Sequence, residues 1–115
     1  MSAVASARLA IQYLAAFGEL GGRWRSQLAA SMRAPRADAA AWAVIDALPA
    51  HPIITAPVAA AVTGRSKPSI YQALDQLQLA GVLAPLSKRS RNRAWEAVGL
   101  LDLIAGLEEG EFPGL

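Results

Sequence analysis

Leu9, Tyr13, Phe17, Leu20, Trp24 and Leu28 recur at steps of three or four along the first third of the chain. That spacing puts side chains on one face of an α-helix, and it predicts helix over residues 3–33. Ile11 and Leu14 lie off the stripe and widen its apolar face. Gly18, Gly21 and Gly22 interrupt it, each less favourable in a helix than alanine by about 1 kcal/mol. The segment is therefore expected either as one bent helix or as two helices that meet there. Its stripe suits packing on the rest of the chain or on a partner.

Ala34, Pro35, Arg36 and Ala37 break the pattern. Asp38 can then cap a helix running to Leu48, its carboxylate accepting from free amides of the first turn. Trp42, Ile45 and Leu48 form the apolar side of that helix, Ala41 and Val44 flank them, and Pro49 and Pro52 stop it. Ile53 to Thr55 reads as a short strand. Thr55 can cap a short helix from Ala56 to Val62, with Pro57 tolerated in its first turn. In that helix Val58 and Val62, four apart, are expected to face the core, and the alanines allow a close helix crossing. Gly64 suits the left-handed residue that ends a helix. Ser66 caps a second helix with Pro68 in its first turn, and Ile70, Ala73, Leu74 and Leu77 form its buried stripe. Gly81 ends it.

Leu83 to Leu86 and Ala94 to Ala97 read as two strands joined by a polar tip, Ser87 to Arg93. Leu100, Leu101, Leu103, Ile104 and Leu107 make a last apolar helix. The tail, with Gly110, Pro113 and Gly114, is expected to fray. From Thr55 to Leu83 the chain thus runs helix, tight turn, helix, with a hairpin after it. This is the layout of a winged helix-turn-helix, which most often sets its second helix in the DNA major groove. The expected fold is mainly α with a small β-hairpin wing and an extra N-terminal helical segment. Residues 1–34 form that segment, 35–108 the winged helix-turn-helix domain, and 109–115 a flexible tail.

Composition agrees with a helical chain. Hydrophobic residues make up 54% of the 115 but aromatic ones only 6%, so the apolar content is mostly Ala, Leu and Val. There is no cysteine, which excludes disulfides and thiolate metal sites. Arg8 and the Gly18 to Arg25 stretch break any span that could cross a membrane, and Arg8 falls where the apolar block of a signal peptide would run. The expected location is the cytoplasm.

Charge changes the picture more. The net charge of +2 divides into +2 over residues 1–64, +5 over 65–93 and −5 over 94–115. The middle stretch carries Arg65, Lys67, Lys88, Arg89, Arg91 and Arg93 against Asp75 alone. A positive patch so concentrated suits a polyanion. At 100° per residue, with Ile70 facing the core, Pro68, Ser69, Gln72, Asp75 and Gln76 project away from it. Ser69, Gln72 and Gln76 can hydrogen-bond base edges. Arg65 and Lys67 would lie near phosphate, beside Ser66 and the amides of the helix N-terminus. Tyr71, on the flank, can reach either a base methyl or the core. Such a helix alone reads equally well as an ordinary solvated face. The basic tip tilts the reading toward nucleic acid, because a wing would carry it to the adjacent backbone or minor groove. The candidate DNA contacts are Arg65, Ser66, Lys67, Ser69, Tyr71, Gln72, Gln76, Lys88, Arg89, Arg91, Asn92 and Arg93.

Catalysis finds little support. His51 is the one histidine and precedes a proline. No carboxylates cluster near it to complete a zinc site. Ser26, Ser31 and Ser66 have no evident base. The terminal run Glu108, Glu109 and Glu111 reads as solvated, and no glycine-rich phosphate loop has the required spacing. No catalytic residue, metal or cofactor is expected.

Residues 64–83, from Gly64 to Leu83, resemble the recognition-helix segment of winged-helix regulators of the MarR type. Four further pieces, Trp24 to Leu28, Arg36 to Trp42, His51 to Pro57 and Arg91 to Glu96, resemble the C-terminal winged-helix region of actinobacterial Fic-family proteins. That likeness spans about residues 8–107 by general pattern. In that family the region follows a catalytic domain that transfers nucleotide monophosphates onto target proteins. The catalytic motif, His-x-Phe-x-Asp/Glu-Gly-Asn-Gly-Arg, is missing here, since His51 is followed by Pro-Ile-Ile-Thr. The inhibitory motif, Ser/Thr-x-x-x-Glu-Gly/Asn, is missing too, with Ala105 ahead of Glu109 and Gly110. The resemblance implies an accessory domain without the enzyme, as a fragment or a stand-alone relative.

Two functions follow as expectations. One is a DNA-binding module, in transcriptional regulation or beside a Fic-type enzyme, with double-stranded DNA as partner. The other is a protein-interaction module that docks on a Fic domain or on a second copy through residues 9–28.

Overall fold

A computed structural model describes residues 3–31, 36, 39–86 and 93–108, and the side chains of these except 3–10, 107 and 108. The chain is mainly helical with one small antiparallel sheet. Helix α1 spans Ala3–Ala29 and α2 spans Ala40–Ala47, followed by a 3-10 turn at Leu48–Ala50. Strand β1 is Ile53–Thr55, α3 is Ala56–Thr63 and α4 is Lys67–Leu79. Strands β2 (Leu83–Pro85) and β3 (Ala94–Ala97) come next, then α5 (Leu100–Glu108). The three strands lie in the order β1-β3-β2, all antiparallel. Ile54 and Pro85 flank Trp95 in the register.

α1 is one helix, continuous through Gly18, Gly21 and Gly22. The cost of three glycines is offset by packing of its C-terminal half. Leu20, Trp24 and Leu28 are buried in the common core, and the Trp24 indole Nε1–H donates to the Val98 carbonyl at 3.0 Å. A Cβ at any of the three glycines would meet nothing within 4 Å, so close packing does not demand them. Tyr13 is buried as well, whereas Ile11 and Leu14 are 66% and 69% exposed. Arg25 of α1 forms an ion pair with Asp46 of α2, and its guanidinium lies 5.9 Å from the Trp42 ring centroid.

α2 begins at Ala40 with Ala39 at its N-cap and no side-chain cap; Asp38, expected there, lies outside the described residues. Ile45 and Leu48 are buried as expected, and Ala41 and Val44, read as flanking them, are fully buried too. Trp42 is half-buried, its indole N–H donating to the Arg36 carbonyl at 2.8 Å.

α3 departs from expectation. Val62 is 45% exposed and Val58 only half-buried, while Ala59 is fully buried. The ridge turned inward is Ala56, Ala59, Ala60 and Thr63, one step round the helix. Small side chains there let α3 approach α2 and α4, which both pack against it; Val58 still packs partly on the core, and Val62 is left on the flank. The caps are as read. Thr55 accepts from the Val58 amide, and Gly64 takes φ +69°, which L-residues with a Cβ rarely adopt.

Ile70, Ala73, Leu74 and Leu77 of α4 are buried, and with Val82, Leu83, Trp95, Ala97 and Leu100 they complete the core. Two turns close against α1. Gly99 has φ +88°, and a Cβ there would come within 3.1 Å of Leu20 Cδ1. Gly81 has φ +83° and sits beside the Gln27 side chain. In α5, Leu100 is buried, Leu103 and Ile104 pack partly on the core, and Leu101 is exposed. The Leu107 side chain and residues 109–115, including the tail expected to fray, lie outside what is described.

Candidate nucleic-acid interface

The tight turn between α3 and α4 is built by short-range hydrogen bonds. Thr63 Oγ1 donates to the Ala59 carbonyl at 2.6 Å and accepts from the Arg65 amide at 3.3 Å. Ser66 Oγ accepts from the Ser69 amide at 3.4 Å and donates to Ser69 Oγ at 2.9 Å. Ser66 thus caps α4 as its position implies, and the Ser69 hydroxyl is part of the same cap. Arg65, Ser66, Lys67, Pro68 and Ser69 are all exposed, so the N-terminal end of α4 opens to solvent with two cations beside it.

Further along α4, Tyr71 is 55% exposed, so it stands away from the core. Gln72 and Asp75 are exposed. Gln76, expected to project outward, is half-buried. It lies three residues from buried Ala73, on the flank of α4 rather than its outer line. That outer line runs through Pro68, Gln72, Asp75 and Leu79 by the 100° rotation per residue. Leu79 is 87% exposed, an apolar side chain on a face read from sequence as polar. Asp75 puts a negative charge in its middle.

Of the basic tip, Lys88, Arg89, Arg91 and Asn92 lie outside the described residues. Arg93 is described and half-buried, its guanidinium 4.7 Å from the Trp95 ring centroid. Trp95 is buried and its indole Nε1–H donates to Gln78 Oε1 on α4 at 2.9 Å. The sequence pattern points to neither Gln78 nor its bond to Trp95. A tryptophan bound for a core does need a partner for its N–H, but which residue supplies it depends on how α4 lies on the sheet.

Among the described residues no group of three or more His, Cys, Asp or Glu side chains could hold a metal ion. None of their helices is long and apolar enough to cross a membrane. No family model matches the chain, and no curated protein matches its sequence.

Proposed function

We propose that the chain is a DNA-binding module of the winged helix-turn-helix type, with α4 as the helix that enters the major groove and β2, β3 and the tip between them as the wing. The order helix, strand, helix, helix, strand, strand from α2 to β3 supports this reading, as does the β1-β3-β2 sheet. The observation that carries it is the open outer side of α4. Gln72 lies exposed there, Lys67 and Tyr71 lie exposed along one edge of the helix, and Arg65 lies exposed in the turn before it, next to a helix N-terminus that favours anions. Phosphate contacts by Arg65, Lys67 and the basic tip supply affinity, and Gln72 supplies the base-edge contact nearest the centre of the outer line. Gln76 and Ser69 serve at the margins. The chain acts as a binding module rather than an enzyme, in the cytoplasm, in transcriptional regulation or as the accessory domain of a Fic-type protein.

A titration of labelled duplex DNA at low salt, read by fluorescence anisotropy, tests this. The wild-type chain binds, and replacing both Arg65 and Lys67 by Gln weakens binding. Absence of binding at low salt would refute the reading.

Exposure of Ile11 and Leu14 on α1 favours a second reading, a protein-interaction surface for a second copy or a Fic domain. Light scattering over a range of concentrations tests self-association, which a monomer throughout would exclude.

A further inference from the structure

Arg93, the residue just before β3, lies two positions from Trp95, and its guanidinium sits over the Trp95 ring, so the two side chains lie on one side of the chain. That side meets α4, because the Trp95 indole N–H is bonded to Gln78. On α4, rotation by 100° per residue places Gln78, Tyr71 and Lys67 along one edge of the helix. The hydrogen bond therefore identifies which edge of α4 adjoins the base of the wing. It is the edge that carries an exposed aromatic ring and, one turn further toward the N-terminus, a cation. Arg93 completes the set from the wing side, held over the Trp95 ring at 4.7 Å.

We propose that Gln78 and Trp95 are positioning residues for DNA contact. The Gln78–Trp95 hydrogen bond locks the base of the wing to α4, and the Trp95 ring holds Arg93 pre-set to receive a backbone phosphate beside the groove that α4 enters. This rests on the DNA-binding reading above. Three physical points support it. Arginine is among the side chains with the most rotamer freedom to lose on being held. A ring that restrains it before DNA arrives removes much of that cost, and a guanidinium over an aromatic face keeps its N–H fork for a bidentate phosphate. Finally, the buried indole N–H has a strong reason to keep its acceptor, because leaving it unpaired is costly, so the wing base and α4 move together. Trp95 and Gln78 themselves touch no DNA.

The test is a double-mutant cycle on duplex affinity, with Arg93→Gln and Gln78→Met alone and combined, each confirmed folded by thermal melting. Gln78→Met changes no charge, yet it is expected to weaken binding roughly three- to tenfold. In its background Arg93→Gln costs far less than in the wild type, so the two losses fall well short of multiplying. Gln78→Glu keeps an acceptor for the indole N–H. It is expected to restore the full cost of Arg93→Gln, and it covers the case in which Gln78→Met does not fold. Arg93→Lys keeps the charge but not the planar fork and should weaken binding without changing the salt slope. If the wild type binds while Gln78→Met binds equally well, or the losses multiply in every background, the positioning role is overturned and the DNA reading stands. If the wild type binds no duplex, both fall.

Discussion

Trp24→Ala tests whether α1 belongs to the same cooperative core as α2 to α5. Trp24 is 2% exposed and lies in the contiguous core with Leu20 and Leu28. Truncating a buried tryptophan to alanine costs about 3–5 kcal/mol, transfer and cavity together. The Val98 carbonyl also loses its indole donor, worth about 1 kcal/mol. A chain of this length has a total stability on the order of 6–17 kcal/mol, so the loss is a large share of it. Trp24→Phe keeps most of the ring and isolates the hydrogen bond, with an expected cost of about 1–2 kcal/mol. The assay is equilibrium urea unfolding followed by far-UV circular dichroism and by the fluorescence of Trp42 and Trp95. One transition is expected in both signals, with its midpoint lowered and its slope unchanged. A fluorescence midpoint that does not move, or a separate helical transition with a reduced slope for the rest, would show that α1 folds apart from the core and would refute this packing.

Three more outcomes follow from particular positions. Gly99→Ala forces a Cβ onto φ +88° and within 3.1 Å of Leu20 Cδ1; it should destabilise by about 1–3 kcal/mol, and an unchanged melting temperature would contradict that turn. Gly22→Ala places its Cβ in open space on a continuous helix; it should stabilise by about 0.5–1 kcal/mol in the same urea assay, whereas a loss would mean that the helix needs a break there. Asp75→Asn removes the one negative charge on the outer line of α4, and on a mixed-sequence duplex it should tighten binding roughly two- to fivefold; weaker binding would place α4 away from phosphate.

What the sequence made readable follows from contrast. The α4 stripe of Ile70, Ala73, Leu74 and Leu77 stands out against polar neighbours and is bracketed by a serine cap and a glycine stop, so its ends and buried face could both be read. β1 could be read from three residues because prolines and a cap bound it. α3 offers no such contrast. It is nearly all Ala and Val, so its sequence does not say which ridge turns inward, and close approach to α2 and α4 selects the alanines. The glycines of α1 left open one bent helix or two that meet; the segment is one helix, and the packing of Leu20, Trp24 and Leu28 outweighs their local cost. At the candidate site, the open N-terminus of α4 with Arg65, Lys67 and Gln72 was legible from helical rotation. The half-burial of Gln76 was not, nor the bond between Trp95 and Gln78, because both depend on how neighbouring elements seat against α4. The exposure of Leu79 is not legible from sequence, because a single apolar residue near a helix end carries no pattern.

The central claim is that α4 and the wing together form a surface for the DNA backbone, and the salt dependence of duplex affinity tests it most directly. The sequence supplies Arg65, Lys67, Lys88, Arg89, Arg91 and Arg93 as its proposed cations. With about four to six of them on phosphate, log affinity should fall against log salt with a slope of roughly −3.5 to −5.5. Arg93→Gln should make the slope shallower by about one. No measurable binding at low salt, or a slope near zero that these residues do not change, would contradict the claim.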